Sequence, residues 1–562
     1  MRPALAPQLG LLLLLLGTGP ALAGEHQHQQ QCGGDCRGFP SERNLRACLE
    51  NAGLSAVWPG DGAAFAAASA LAFSLQPANP ACVVKPRSAA EVAAAVKCAG
   101  DWGYRVSAAG GRHSFQGAAL PDGYLVVDTA GLCREVPTVD AASMTMVVGA
   151  GCTNAVLNAG LAKSGVARAL AVTGTCPSVG IAGYVLGGGV GGATPWAGLA
   201  ADQVRSVDLV LANGTAVTAS VEENEDLYWA SRGGGGGLAI VTSLELHVPL
   251  APANTTFTHL KVKYTPSAAA RVALRYQAFL LRDDVDRRLG GDGTLNSGGL
   301  EMRLQFLGNR TELTAVLEAA GLLDDGLTGK PEAREFAHSW ELQGWIEVSA
   351  GGRAGTGGRL TAYQCTYLRR RCDSPEELAA FLDAAGDRGD SINVGVDGSH
   401  RKQQMVSSLG GLLTRGLDEN SWDKIVQIAT GHGRSGCNSD FQLNHVLGGA
   451  VADVPPNATA FPFRSATWLF GFGYIDAATS AADAAFCHDV ANRYTDVLLA
   501  AQQADGRPSF LGLYYNYLGV YALRDIGTRY WAENFKRLQR IKSRVDPYNL
   551  FSKPLTVHAS AT

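Results

Sequence analysis

The stretch from Thr173 to Gly192 constrains this chain more than any other part of it. After Thr173 it reads Gly174-Thr175-Cys176-Pro177-Ser178-Val179-Gly180-Ile181-Ala182-Gly183-Tyr184-Val185-Leu186-Gly187-Gly188-Gly189-Val190-Gly191-Gly192. Glycine at that density among apolar residues does not make an ordinary helix or strand. It suits a backbone that approaches a ligand closely and offers its amide N–H groups to phosphate. A second loop of similar character, Ala109-Gly110-Gly111-Arg112-His113-Ser114, follows a strand-like run. Its order is neither that of a Walker loop nor the GxGxxG of a nicotinamide-binding turn. Spacing alone leaves it open as a tight turn with a surface histidine, and leaves Cys176 open as half of a disulfide.

The flanking patterns place these loops in an α/β layer. Cys82-Val83-Val84 reads as a buried strand. Ser88 with Glu91 has capping-box spacing, and Val92, Ala95, Val96 and Ala99 form a helical stripe. Tyr104-Arg105-Val106 is the next strand, followed by Leu125 to Val127, Thr145 to Val148 and Val207 to Leu211. From about 251 the character changes. Helical runs (Glu312 to Leu323, Glu376 to Ala385) alternate with strand-like ones (Glu301 to Leu307, Phe441 to Val446, Thr467 to Phe472). That alternation predicts an antiparallel sheet with helices on one side. After 510 come Leu513-Tyr514-Tyr515-Asn516-Tyr517 and an amphipathic helix from about Tyr530 to Val545, ended by Asp546-Pro547. A chain of 562 residues exceeds one simple core. The reading is α+β: a discontinuous first domain with the middle inserted. Its parts are a leader and domain start at 24–80, then 81–250, the insert 251–509, and the return 510–562.

Residues 1–23 read as a secretory signal. Arg2 precedes an apolar run from Leu9 to Leu16, and Ala21-Leu22-Ala23 supplies the small residues of a cleavage site. The run is too short for a bilayer, which needs about 20 residues, so neither a membrane anchor nor a membrane partner is expected. Twelve cysteines suit an oxidising compartment. His26, His28, Cys32 and Cys36 imitate a metal site, but the compartment favours disulfides and a loose leader, and no metal is expected. Sequons at Asn213, Asn254, Asn309 and Asn457 agree with secretion. Net charge is −4 with no basic block, which argues against a nucleic-acid partner.

Together the two loops resemble the FAD-binding domain of the vanillyl-alcohol-oxidase superfamily, and within it the berberine-bridge-enzyme-like oxidases. Tyr514-x-Asn516-Tyr517, the helix, and Asp546-Pro547-x-Asn549-Leu550-Phe551 resemble that group's C-terminal signature. The resemblance runs from about Cys48 to Pro554. It implies a two-domain flavoprotein whose FAD domain is formed from N- and C-terminal parts. FAD would be bound covalently, through His113 to the 8α-methyl carbon and through Cys176 to C6. Gly110, Gly111, Arg112, Ser114, Gly174, Thr175, Val179, Gly180, Gly183 and Asn516 fall among the cofactor-binding positions. A disulfide between Cys48 and Cys98 is implied in the same way, and Cys365 with Cys372 is a second pair on proximity. Arg112 departs from the usual Gly, Tyr184 from a usual His and Gly519 from a usual Asp. The Arg112 side chain either pairs with a flavin phosphate or is merely accommodated.

The family's active-site Tyr falls on Tyr517, the proton acceptor for alcohol oxidation. The partner that carbohydrate oxidases place before a Gly-Gly pair falls on His445, ahead of Gly448-Gly449. A charged His there would lower the Tyr pKa. Strand alternation then points His445 at the flavin and Gln442 and Asn444 away, unless a bulge intervenes. Phe470 stands where alkaloid-forming members carry Glu, and Val190 where monolignol oxidases carry Tyr. Val179 would sit where oxygen access is gated. Trp468 and Tyr515 are candidates to stack on a sugar, or else are core. The function implied is a secreted oxidase, closest in type to the carbohydrate oxidases, that turns a sugar hemiacetal into a lactone and passes two electrons to O2, giving H2O2. Its rivals are an oxidase or dehydrogenase of alkaloid-like or phenolic alcohols, and a non-catalytic flavin-binding glycoprotein. With a His445 pointing into the core, or a cavity closed and wholly apolar, the sugar reading fails and a small hydrophobic alcohol becomes the better expectation.

Overall fold

The computed structural model describes residues 40–71, 78–115, 117–324, 326–350, 403–405, 411–414, 416–431, 437–476, 481–501, 509–517, 526–553 and 556–559. The signal segment, the helical run at Glu376 and the pair Cys365 and Cys372 lie outside these residues.

The first layer is built as its patterns require. The Ser88 hydroxyl accepts from Glu91 N at 3.2 Å and starts the helix Ala89–Asp101. The Glu91 carboxylate reaches one residue further back than a capping box would, to Arg87 N at 2.9 Å. Val92, Ala95, Val96 and Ala99 are all buried. Strands Cys82–Val84 and Val106–Ala109 flank Leu125–Asp128 and pair with it in parallel. Cys48 is bonded to Cys98, with Cα atoms 5.7 Å apart, which ties the helix Glu42–Asn51 to this unit. A five-stranded antiparallel sheet adjoins it, ordered Val139–Asp140, Thr145–Gly149, Ile240–His247, Val204–Val210 and Ala216–Ser220.

The inserted region is a nine-stranded sheet whose pairings are all antiparallel among the described residues. At its centre Phe257–Tyr264, Gly299–Leu307, Leu289–Asn296, Cys437–His445 and Trp468–Asp476 are successive neighbours. Helices Ala269–Leu280 and Glu419–Thr430 contribute Tyr276, Trp422 and Ile425 to a core shared with Phe441, Trp468 and Phe470. The strand Phe510–Leu513 belongs to this sheet through Gly411–Leu413, so the chain leaves the sheet only at Tyr514. The last amphipathic run is not one helix. It is Ile526–Trp531, a 3-10 turn Ala532–Asn534 with Ala532 at φ 42°, and Phe535–Val545. Within the turn, Asn534 Nδ2 donates to Pro456 O and Thr459 O at 2.8 and 3.1 Å. Asp546 ends the chain's last helix by accepting from Leu550 N and Phe551 N, and it pairs with the buried Lys542 at 2.5 Å. Among the described residues, no helix is long and apolar enough to cross a membrane.

Candidate active site

The two glycine loops meet backbone to backbone. A Cβ placed on Gly111 would lie 2.3 Å from both Gly180 N and Ser178 O, and one on Gly180 would lie 2.4 Å from Gly111 N. No side chain fits in that contact, so both positions require glycine. The loops border a cavity of about 770 Å³, within the usual range for small-molecule sites. Its opposite wall is the nine-stranded sheet.

His113 and Cys176 both line this cavity. His113 Nε2 is 2.8 Å from the hydroxyl of Ser178, which is fully buried and therefore holds the ring in one orientation. Cys176 keeps its thiol, and its carbonyl accepts from Asn154 Nδ2 at 3.0 Å. The loop behind it is braced by a disulfide between Cys133 and Cys152. Cys152 O accepts from Ile181 N at 2.9 Å, and Thr153 bridges to Gly180. Neither Ser178 nor this disulfide was among the expected site features. Ser178 lies inside the loop motif itself, while nothing local marks the pairing of Cys133 with Cys152.

Of the remaining expected cofactor positions, Gly110, Gly111, Arg112, Ser114, Gly174, Thr175, Val179, Gly180, Gly183 and Asn516 all line the cavity. The Asn516 amide donates at 2.9 Å to Tyr184 O and to Tyr514 Oη, which joins the C-terminal segment to the second loop. Arg112 is at φ 59°, and its guanidinium is committed elsewhere. It pairs with Asp128 at 2.8 Å and donates to Ala67 O and Ala70 O at 3.3 Å, so it is accommodated by the protein rather than held for a phosphate. Tyr517 lines the cavity beside Phe115 and Tyr514, with ring centroids 5.6 and 5.3 Å away.

His445 is not where it was expected. It is 5% exposed, turns into the helix-covered core, and its Nδ1 lies 2.9 Å from Tyr276 Oη. Burial pushes its pKa down to about 3, so the ring is neutral at physiological pH and offers no positive charge to Tyr517. The reason is strand parity. Asp440, Gln442 and Asn444 line the cavity, while Phe441, Leu443 and His445 face the other way. The pairing shifts between Asn438 and Phe441, but alternation is regular beyond. Trp468 is also core, stacked on Phe470 at 5.6 Å. Tyr515 touches the cavity on the loop side, where its hydroxyl accepts from Gly236 N at 3.4 Å.

The sheet wall is a polar lattice that sequence reading did not assemble. One cross-strand row runs Lys261, Arg303, Asp292, Asn444, and the next runs Lys263, Glu301, Thr294, Gln442. Arg303 Nε donates to Asp292 at 2.8 Å and its Nη2 to Thr294 Oγ1 at 3.0 Å. Glu301 is 3.1 Å from Lys263 Nζ. The nearby Asp292 carboxylate holds the Arg303 pKa above its ordinary value. The cavity therefore has one wall of backbone amides and one of paired charges and amide side chains.

Residues 80–220 match the model of the FAD binding domain, and residues 513–558 match the model described as Berberine and berberine like. The chain thus carries an FAD-binding domain and a berberine-like C-terminal segment, and is an FAD-linked oxidoreductase. Over 535 residues it is 28% identical to the glucooligosaccharide oxidase of Sarocladium strictum, covering 92% of this chain and 95% of that one. It is 27% identical to the xylooligosaccharide oxidase of Thermothelomyces thermophilus over 525 residues, covering 91% and 93%. A solved structure of the glucooligosaccharide oxidase from Acremonium strictum, described as carrying 6-S-cysteinyl, 8α-N1-histidyl FAD, superposes with a TM-score of 0.73. That match has 22% identity and covers 92% of this chain and 100% of that one.

Proposed function

We propose that the chain oxidises a hemiacetal hydroxyl of a sugar or oligosaccharide to a lactone, with FAD held covalently by His113 and Cys176 and with O2 as the final acceptor. FAD supplies the two-electron acceptor, and the chain's own residues position it and manage the proton. His113 and Cys176 project into the cavity from the two loops, the imidazole oriented by Ser178. Tyr517 is the group assigned to take the hydroxyl proton, and Val179 stands at the approach for oxygen. The observation that carries the substrate class is the wall facing those loops, where Asp440, Gln442 and Asn444 stand beside the Arg303–Asp292 pair. Amides and carboxylates so spaced suit several hydroxyls at once, and an apolar alcohol would desolvate them without offering a hydrogen bond in return.

The inward turn of His445 meets the condition under which the sugar reading was to fail. It loses its force because the opposite strand face brings three polar side chains to the cavity in its place. The sugar oxidases to which the chain is similar support the same reading. Secretion after removal of residues 1–23 belongs to the proposal, as does division into a flavin domain (81–250 with the C-terminal return) and a substrate domain (251–509). We group the strand Phe510–Leu513 with the latter. The test is purified protein incubated in air with a panel of mono- and oligosaccharides and of aryl and alkaloid alcohols, with peroxide as readout. Peroxide from reducing sugars is the expected result. Peroxide from the aromatic alcohols alone would overturn the substrate class, and no peroxide from any of them would overturn the oxidase reading.

A further inference from the structure

Among the described residues, the three buried Lys and Arg side chains have carboxylate partners: Arg112 with Asp128, Arg464 with Asp202, and Lys542 with Asp546. Lys553, half-buried in the cavity wall, does not. Its backbone is fixed, since Lys553 N donates to Thr556 Oγ1 at 3.1 Å and its carbonyl accepts from the same hydroxyl at 2.8 Å. The preceding turn is clamped by Asp546. The side chain passes Gly236 and reaches the cavity wall beside Ser107. Nζ donates to Ser107 Oγ at a long 3.5 Å, and that hydroxyl gives its own proton to Ala119 O at 3.1 Å, so the contact is with a neutral group and supplies no charge. Among the described residues, no carboxylate lies within ion-pair distance of Nζ. Burial is the sole influence on its pKa and pulls it down to about 8, which leaves the amine mostly protonated at neutral pH. An ammonium half-withdrawn from water without a counter-charge carries a desolvation cost, and a site that keeps one there suits an anion.

The place of Lys553 along the cavity identifies that anion. The wall runs from Ser107, beside Lys553, through Gly110 and Gly111 to His113. This is the order in which FAD would present its AMP half, its diphosphate and its flavin ring. Resting on the reading that FAD fills this cavity with its ring at His113, we propose that Lys553 Nζ is the counter-cation of the FAD diphosphate on its adenosine side. Arg112, the cation that sequence alone offered for this task, is held by Asp128.

The test uses flavin-loaded protein and phosphorus-31 NMR. At neutral pH one of the two diphosphate resonances is expected to be displaced in Lys553→Met and to return toward its wild-type position in Lys553→Arg. Both variants are compared with wild type at equal flavin loading, read as acid-stable flavin. In wild-type protein alone, the same resonance should titrate with a midpoint at or above about 8, as Lys553 loses its proton, so the test survives a variant that fails to fold. Spectra that superimpose, with no titration in the wild type, would overturn the assignment while leaving the cofactor reading intact. A displaced adenine signal with unmoved phosphorus would place Lys553 on the base and also overturn it. A chain that carries no flavin would overturn the cofactor reading and this assignment with it.

Discussion

Replacing Gly111 by Ala tests whether the contact between the two loops governs flavin attachment. The added Cβ would lie 2.3 Å from Gly180 N and from Ser178 O, where ordinary contact begins at 3.4 Å. Both obstacles are backbone and cannot swing aside, so the loops must part by about 1 Å. Ser178, on the displaced loop, is 2.8 Å from His113 Nε2, and an added 1 Å takes that pair beyond hydrogen-bond reach. Covalent attachment needs the histidine held against the flavin in a near-attack geometry, and a 1 Å misplacement costs about 10²-fold in rate. The expected outcome is protein that folds but acquires acid-stable flavin about a hundredfold more slowly than wild type. The assay is the flavin absorbance of acid-precipitated protein sampled over time. Gly100→Ala is the control, because Gly100 lies in a helix with nothing within 4 Å of the added Cβ. Wild-type flavin acquisition by Gly111→Ala would refute the reasoning, since it would show that the loop contact does not set the geometry of attachment.

Four further outcomes are expected. His113→Ala and Cys176→Ala should each retain one flavin link and the double variant none, as read by peptide mapping; a double variant that stays yellow after acid would refute both assignments. Tyr517→Phe should slow flavin reduction by sugar about 10²–10⁴-fold with little change in binding, and an unchanged rate in stopped-flow would move the base elsewhere. His445 has a folded pKa near 3 against an ordinary 6.5. The unfolded chain therefore takes up the proton first as pH falls, so stability is full above about 6.5 and drains towards 3. His445→Gln should flatten the denaturation profile over that window, and equal slopes would contradict the buried neutral ring. Reducing the Cys48–Cys98 link, which closes a separation of 50 residues, should cost about 4 kcal/mol in the chain-entropy model. A double Cys→Ser variant with an unchanged melting temperature would show that packing alone holds the helix Glu42–Asn51.

The parts of the fold legible in the sequence were those set by local forces. Cys82–Val84 and the helix begun at Ser88 follow from an apolar run and a capping hydroxyl, and both stand where those signals put them. The terminal run reads as continuous because its amphipathic period is unbroken. The interruption at Ala532–Asn534 serves contacts to residues 456 and 459, which are far away in the chain. Phe510–Leu513 is contiguous in sequence with the Tyr-rich signature, but its hydrogen-bond partner is Gly411–Leu413. In each case the deciding contact is tertiary. The pairing of Cys133 with Cys152 is of the same kind, set by the approach of two loops.

The site divides along the same line, with one exception that bears on how strands are read. The loop residues were recognisable because their chemistry demands glycine, His and Cys at fixed places in one continuous string. The sheet wall was not, because Asp292, Arg303 and Asn444 become neighbours only through pairing across three strands. The face of Cys437–His445 was in fact readable. Asp440-Phe441-Gln442-Leu443-Asn444 alternates polar and apolar with a period of two, which assigns Phe441 and Leu443 to the core. His445 shares their parity and must share their face. Placing it at the flavin relied instead on its distance from Gly448-Gly449, a positional analogy that takes no account of which way a side chain points. The burial cost of a polar ring on the apolar face is offset by Tyr276 Oη, 2.9 Å from its Nδ1. A histidine on the core side of a strand is thus a satisfied packing residue here, and the residue that lines the cavity is its neighbour, Asn444.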